Sequence, residues 1–231
     1  MQGNIIHWIV VLQKLAQHNR NNKLSQNTSL NCMELIKQIE DNSTEINLAI
    51  IDQLELLAET QPKYYWKIIE SLSNVIRRNS ATSLQNHSFL KIKDRQVIQA
   101  AMTLMSKLVP VNGWESQQID LSYTDLREIN LSGANLKNVN FYQANLQGAN
   151  LSGANLQEAI LVTANLCDAN LILTNLSGAI LSAAKLNRAN LHKANLHKAN
   201  LYLANLHGAN LDDANLSGAN IRETILDRQL S

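Results

Sequence analysis

Cysteine, proline and long apolar runs are all scarce in this chain, and each scarcity removes a class of protein. The two thiols, Cys32 and Cys167, stand far apart in differently composed halves, so neither a disulfide framework nor a cysteine zinc site is expected. The two prolines both precede residue 113. No uninterrupted apolar stretch approaches the roughly 20 residues that span a bilayer. The best stretch, Ile5-Ile-His-Trp-Ile-Val-Val-Leu12, is short, contains a histidine, and lacks a basic start and a small-residue cleavage site. It reads as the first turns of a buried helix rather than a membrane anchor or export signal. An excess of one charge is also missing: 20 Lys and Arg meet 19 Asp and Glu, a net of +1. Together these absences point to a protein of the reducing cytoplasm.

What is present is a five-residue period. From Ile119 to Asp227 the blocks run NLSGA, NLKNV, NFYQA, NLQGA and onward to NLSGA, NIRET, ILDRQ. Every fifth residue from Leu121 to Leu226 is a large apolar centre, and 20 of the 22 are Leu, with Phe141 and Ile221 the exceptions. Two residues before each centre stands a small residue, 16 times Ala, and between the two stands Asn, 16 times. The remaining two positions vary freely. The Asn-X-Ser sequons at Asn130, Asn150, Asn175 and Asn215 are by-products of this wording.

A helix cannot use such a pattern, because five residues at 3.6 per turn walk around the cylinder and bury no stripe. A plain strand cannot use it either, since an odd repeat flips the pleat at every block unless the chain turns a corner there. The consistent solution has one short side per pentad, with successive coils stacked as parallel strands and Ala and Leu inside. Asn is expected at the corners, because its amide tolerates unusual backbone angles and bonds locally, and in-register copies can ladder.

These A(N/D)LXX tandem blocks resemble the pentapeptide repeat family. The resemblance covers residues 119–228 and implies a right-handed, four-sided parallel β-helix of about 5.5 coils. At about 4.8 Å per stacked strand, the rod is on the order of 26 Å long. Length allows two units: an α-helical domain over 1–113 and the β-helix over 114–231, an α+β chain whose break falls at Leu108-Val-Pro-Val-Asn-Gly-Trp114.

The first unit reads as helices. Stripes run through Ile46, Ala49/Ile50, Leu54 and Leu57, through Tyr65, Ile69, Leu72 and Ile76 after Pro62, and through Val97, Ala101, Leu104 and Leu108 behind Asp94 as cap. Shorter helices are expected at Ile5–Gln17 and Cys32–Ile39. Loose stretches are expected at His18–Ser29 and Asn79–Ser88. Residues 49–80 together with RQVIQAAMTLMSKL are similar to a helical preface of some cyanobacterial pentapeptide repeat proteins. That likeness implies one HEAT-type helix pair within about 44–109. The membrane anchor that often precedes that preface in those proteins is expected to be missing or truncated to residues 5–12 here. Helices over one end of an open stack also block edge-to-edge growth.

Catalysis needs titratable groups gathered at one concave point, and outward positions on flat sides splay apart. Ser182-Ala-Ala-Lys185 matches a penicillin-recognising Ser-X-X-Lys pattern by chance, since Ala184 and Leu186 are an inward pair. His192-Lys193 and His197-Lys198 sit on adjacent sides and diverge, so surface histidines are expected rather than a metal site. No phosphate-binding glycine loop occurs. No cofactor, metal or catalytic residue is expected. A coil of 20 residues places Asp168 above Arg188, His192 above Asp212 and Lys193 above Asp213, pairs expected to tune the surface.

Some family members inhibit DNA gyrase as acidic mimics of duplex DNA. Residues 119–228 carry nine acidic and eight basic groups, without the sustained acidic face that role needs. Nucleic-acid binding is not expected either, because Arg77-Arg78 with Lys91, Lys93 and Arg95 is a cluster rather than a stripe. The expectation is a non-enzymatic interaction scaffold for an unidentified protein partner. A gyrase-directed DNA mimic, a membrane-associated adaptor and an enzyme stand as alternatives. The resemblance adds a homodimer through the C-terminal coil, where Ile225 and Leu230 accompany Arg222, Glu223, Asp227 and Arg228. The candidate binding face is the column on centres 121, 141, 161, 181 and 201: Tyr123, Tyr142, Ile160, Val162, Ile180, Tyr202 and Leu203. Ile172 and Leu173 lie on the opposite side. Cover by the helical unit, and mere drift at the Asn position, compete with an intermolecular interface.

Overall fold

The computed structural model describes residues 35–37, 39, 48–60, 64–85, 92–108 and 117–226. The expected helix at 5–17, the linker at 18–29, Cys32, Ile46, Pro62, the break at 109–114, and Asp227, Arg228 and Leu230 lie outside the described residues.

Helices come first, as α1 (Leu48–Thr60), α2 (Tyr65–Gln85) and α3 (Ile92–Leu108). Both α1 and α2 pack on α3. The buried stripe of α1 is Ile50, Ile51, Leu54 and Ala58, with Leu57 half-buried and Ala49 exposed. In α3 the stripe centres on Ile98, Ala101, Met102 and Met105, and Val97 sits at its margin. Asp94 is inside the first turn rather than capping it, and Lys107 is in the last turn, each complementing the helix dipole. Leu35, Ile36 and Ile39 are helical and join the same core.

The loose stretch expected from Asn79 is instead helix as far as Gln85. Leu72, Ile76 and Ser80 are all fully buried at four-residue spacing, so the core-facing stripe continues in a small polar residue that an apolar-periodicity reading passes over. Ser71 and Ser73 show how α2 carries such residues, each hydroxyl donating to the carbonyl four residues earlier at 2.9 and 2.8 Å.

In the repeats, every Asn-position residue from Asp120 to Asn205 is bridged in parallel to the residue 20 positions on. Four pentads therefore make one layer, and layer stacks on layer. The pentad Leu151–Asn155 shows where its five amide N–H groups go. Leu151 donates to Asn170 at 2.8 Å and Gly153 to Ile172 at 2.8 Å, both in the next layer. Asn155 donates to Ala134 in the preceding layer at 2.9 Å, and Ala154 closes a turn onto Leu151 at 3.0 Å. Ser152 has no backbone acceptor in this scheme; it donates to the Asn150 side-chain oxygen at 3.3 Å. The same Asn position then ladders, Asn155 Nδ2 donating to Asn135 Oδ1 at 3.3 Å and Asn175 to Asn155 at 3.2 Å.

This corrects the expected place of Asn. It is the bridging residue in the middle of each short extended segment, and the corner is made by the two free positions after Leu. The second of these has positive φ in every pentad from Tyr123 to Glu223, including Tyr123, Leu173 and Thr163 as well as six glycines. Left-handed backbone costs an ordinary residue about 1–2 kcal/mol, yet the layer hydrogen bonds impose it at 15 non-glycine positions. Asn serves the corner from outside, through its side chain.

Inward, Ala154, Leu156, Ala159, Leu161 and their equivalents are fully buried, whereas the final layer from Ala209 onward is only partly covered. Leu171 is 0% exposed. Leu171→Ala is therefore expected to cost about 2–5 kcal/mol in chemical denaturation, and Ser152→Ala at a half-buried corner about 0.5 kcal/mol or less. Equal tolerance at the two positions would contradict this packing.

Corners also pack between layers. A Cβ on Gly208 would lie 3.2 Å from Cγ of Arg188 in the layer before, whereas one on Gly133 meets nothing within 4 Å. Both have φ near +70° or slightly below, so both alanine variants carry backbone strain. Gly208→Ala is expected to lower the melting temperature more than Gly133→Ala, and adding Arg188→Ala is expected to remove the difference. Equal melting points for the two single variants would refute the contact.

Candidate functional site

The predicted face is one column of the stack. Parallel bridges join Asp120, Asn140, Ile160, Ile180, Asn200 and Asn220 in succession, and the corner residues 122/123 to 222/223 follow the same register. Tyr123 is 54% exposed, Ile180 39%, Tyr202 37% and Leu203 46%. Tyr142, Ile160 and Val162 are half-buried. Tyr123 and Tyr142, from successive layers, meet edge to face with centroids 5.4 Å apart at 81°. The Tyr142 hydroxyl accepts from Gln143 Nε2 at 3.0 Å. Between Asp120 and Arg222 neither the bridging nor the corner positions of this column contain a charged residue. Tyr202 reaches toward the upper end, its hydroxyl 3.5 Å from Glu223 Oε1.

Ile at positions 160 and 180 has a local cost. Neither side chain can accept the corner N–H two residues on, as Asn140 does from Tyr142 at 3.0 Å and Asn200 from Tyr202 at 3.1 Å. Each forgone hydrogen bond is worth about 0.5–1.5 kcal/mol. The apolar pair stands where it weakens the ladder.

Elsewhere the surface groups disperse. Arg188 donates twice to Asp168, at 2.7 and 2.8 Å, as the register predicts. That bonding pushes the Asp168 carboxyl below its ordinary value and the Arg188 guanidinium above its own. His192 meets the main-chain oxygen of Asp212 at 3.1 Å rather than the expected carboxylate, and His197 meets Ser217 Oγ at 2.9 Å. Lys193 and Asp213 stack without closing to an ion pair. Ala184, between Ser182 and Lys185, is fully buried. Among the described residues no group of three His, Cys, Asp or Glu could hold a metal, and no helix is long and apolar enough to cross a membrane. Leu173 is 61% exposed beside half-buried Ile172 on the opposite side.

Two helix arginines are turned to the first layer. Arg77 pairs with Asp120, and Arg95 with Glu128 at 2.5 Å, while Arg78 donates to the Ile39 carbonyl at 2.9 Å. Gln99, which pattern reading passed over, behaves as a substitute peptide. Its Nε2 donates to the Asn130 carbonyl at 2.7 Å and its Oε1 accepts from the Asn130 amide at 2.8 Å, the two bonds a preceding layer would make. Thr103, Ser106 and Ser132 continue from there into a polar groove of about 200 Å³ without charged lining. Asp125 is buried and bound through Oδ1 to Arg127 Nε at 2.8 Å, which pushes the guanidinium up.

Burial alone would raise the Asp120 carboxyl, but hydrogen bonds from Ser122 and the charge of Arg77 hold it below its ordinary value. A depressed carboxylate stabilises the fold above the unfolded pKa of about 3.9, and that stabilisation is lost as pH falls through the folded value. Asp120→Asn keeps an acceptor for Ser122 and Asn140 and removes the ion pair. It is expected to lower stability by at most ~1 kcal/mol at pH 7 and to match the parent once pH is below the folded value. A gap that persists undiminished in acid would contradict the ion-pair origin.

Residues 117–153, 149–188 and 184–228 match the family profile of pentapeptide repeats, in eight copies. A pentapeptide repeat protein from Nostoc Pcc 7120 is 33% identical over 44% of this chain and 83% of its own, with a TM-score of 0.38. A second, from the cyanobacterium Cyanothece 51142, is 30% identical over 48% of this chain and 91% of its own, with a TM-score of 0.24. HetL, involved in heterocyst differentiation regulation in Nostoc sp. strain PCC 7120, is 34% identical over 45% of this chain and 62% of its own, with a TM-score of 0.21. No curated protein matches the chain.

Proposed function

The chain belongs to the pentapeptide repeat family, and from that premise we propose a non-enzymatic scaffold that binds a protein partner through the column from Tyr123 to Leu203. Pentapeptide repeat proteins are generally non-catalytic. The finer architecture proposed is a right-handed β-helix with four sides. A period of five and a bridge offset of 20 support the four sides, and the right-handed sense is what membership of the family implies. We place the protein in the cytoplasm, on the strength of its isolated cysteines.

One observation carries the reading: an uncharged column with exposed Tyr and Ile, in which Ile stands at 160 and 180 where Asn would have served the fold better. Drift supplies nothing to offset the hydrogen bonds forgone at Ile160 and Ile180, whereas covering an Ile contributes about 1.5–3 kcal/mol. Tyrosine-rich apolar patches are also what interface centres contain. Cover by the described helices does not suit the column, since Tyr123, Ile180, Tyr202 and Leu203 remain open with α1, α2 and α3 in place. A gyrase-directed role lacks the acidic face it needs. A C-terminal homodimer is a second contact compatible with the partly covered final layer, where Ile221 and Ile225 are 46% and 55% exposed.

Ile180→Lys and Tyr202→Glu change outward residues only. Each is expected to cut recovery of the partner in a tagged pull-down from the native host at least tenfold while shifting stability by about 0.5 kcal/mol or less. If recovery and melting temperature are both unchanged, this column is not the site.

A further inference from the structure

We propose that the column is self-complementary and that it takes a second copy of this chain, packed antiparallel about a two-fold axis lying across the face between Ile160 and Ile180. The inference rests on reading this face as an interface. It begins with the order of residues up the stack. The bridging column runs Asp120, Asn140, Ile160, Ile180, Asn200, Asn220. The adjoining corner column runs Ser122, Tyr142, Val162, Ser182, Tyr202, Arg222. The bridging column is nearly palindromic about its midpoint, with Ile beside Ile in the middle and Asn in the second and fifth layers, and the corner column repeats Tyr in the second and fifth layers.

A two-fold axis in the plane of the face and perpendicular to the stacking direction reverses layer order and sets each column against itself. Ile160 then meets Ile180 of the second copy, Asn140 meets Asn200, and Tyr142 meets Tyr202. The ends suit this order. Asp120 faces the layer of the second copy that carries Arg222, and Tyr123 faces Glu223, the acceptor that Tyr202 already approaches within its own chain at 3.5 Å. A parallel two-fold axis would set Asp120 at the level of Asp120 and turn the tyrosine corner against the corner bearing Lys137 and Glu158. The ends of the column thus favour the antiparallel arrangement, in which the other corner sets Lys137 of one copy at the level of Lys198 of the second.

Size sets its strength. Six layers at about 4.8 Å make a face roughly 25–30 Å long and one short side wide. That is less than the ~800 Å² per partner of a standard stable complex. The dimer belongs to the weak, concentration-dependent class, and the test must reach it there.

The full chain with Cys32→Ser and Cys167→Ser is the background. Tyr142→Cys and Tyr202→Cys proteins, distinguishable by mass, are mixed at high concentration and treated with a short bismaleimide. The expected product joins the two variants. Tyr142→Cys alone should link little, because its two copies would lie three layers, about 14 Å, apart. Val162→Cys with Ser182→Cys gives a second pair should a tyrosine variant fail to fold, and Ile180→Lys in either background should abolish the mixed product. Self-linking as strong as mixed linking overturns the antiparallel order. A dimer in sedimentation without mixed links assigns association to another surface, such as the final layer, and overturns the proposal as well. Absence of links together with recovery of a different protein, sensitive to Ile180→Lys, overturns the second copy as partner and leaves the interface reading standing.

Discussion

One amide per pentad decides the chemistry of the whole repeat. Stacking supplies acceptors for the N–H groups of the large residue, the bridging residue and the second corner residue, and the small residue closes a turn onto the large residue of its own pentad, but the N–H of the first corner residue has no main-chain acceptor. Only a short side chain with an oxygen two residues earlier can reach it, which favours Asn or Asp at the bridging position and leaves the bond forgone at Ile160, Ile180, Lys185 and Ile225. Asn brings a second group, the Nδ2 donor, and uses it on the layer before, as Asn155, Asn175, Asn195 and Asn215 do in one unbroken ladder. A single residue type thus closes the turn and sets the register.

The start of the stack follows from the same constraint. No layer precedes positions 120, 125, 130 and 135, and the first two of these are Asp. A carboxylate keeps the acceptor for the corner and exchanges the surplus donor for a charge, which Arg77 and Arg127 meet. Gln99 extends the logic to the main chain by presenting a side-chain amide where a peptide would stand. At Gln99 the junction thus resembles one more rung, while Arg77 and Arg95 add ion pairs and a continuous apolar core joins helices and repeats.

How much of this could be read beforehand varied with the physics involved. Ala and Leu at fixed offsets announce burial, because solvent exclusion leaves a compositional trace at every repeat. The corner did not announce itself. Tyr123, Leu173 and Thr163 are poor choices for left-handed backbone, and Asn, a better choice, takes this corner only at Asn138; cooperative hydrogen bonding overrode the local preference. Residues 79–85 were misread for a related reason, since Ser80 faces the core through packing that no apolar pattern marks. The column from Tyr123 to Leu203 was legible once residues 20 apart were superposed, because register alone assembles it. Gln99 was not, since one glutamine on a helix has no pattern to belong to, and its meaning depends on which layer α3 happens to touch.

The bridge offset of 20 also makes length a coarse variable with a consequence for the surface. Core positions repeat every five residues, so losing one pentad returns large residue to large residue and Asn to Asn, and the interior is restored. Surface columns repeat every 20, so the same loss moves everything beyond it to the neighbouring side. Tyr202 would leave the column of Tyr142, and His207 would take its place. A lineage can thus recompose its faces by whole-block gain or loss without renegotiating its core, a form of inheritance in which folding and recognition mutate on separate clocks.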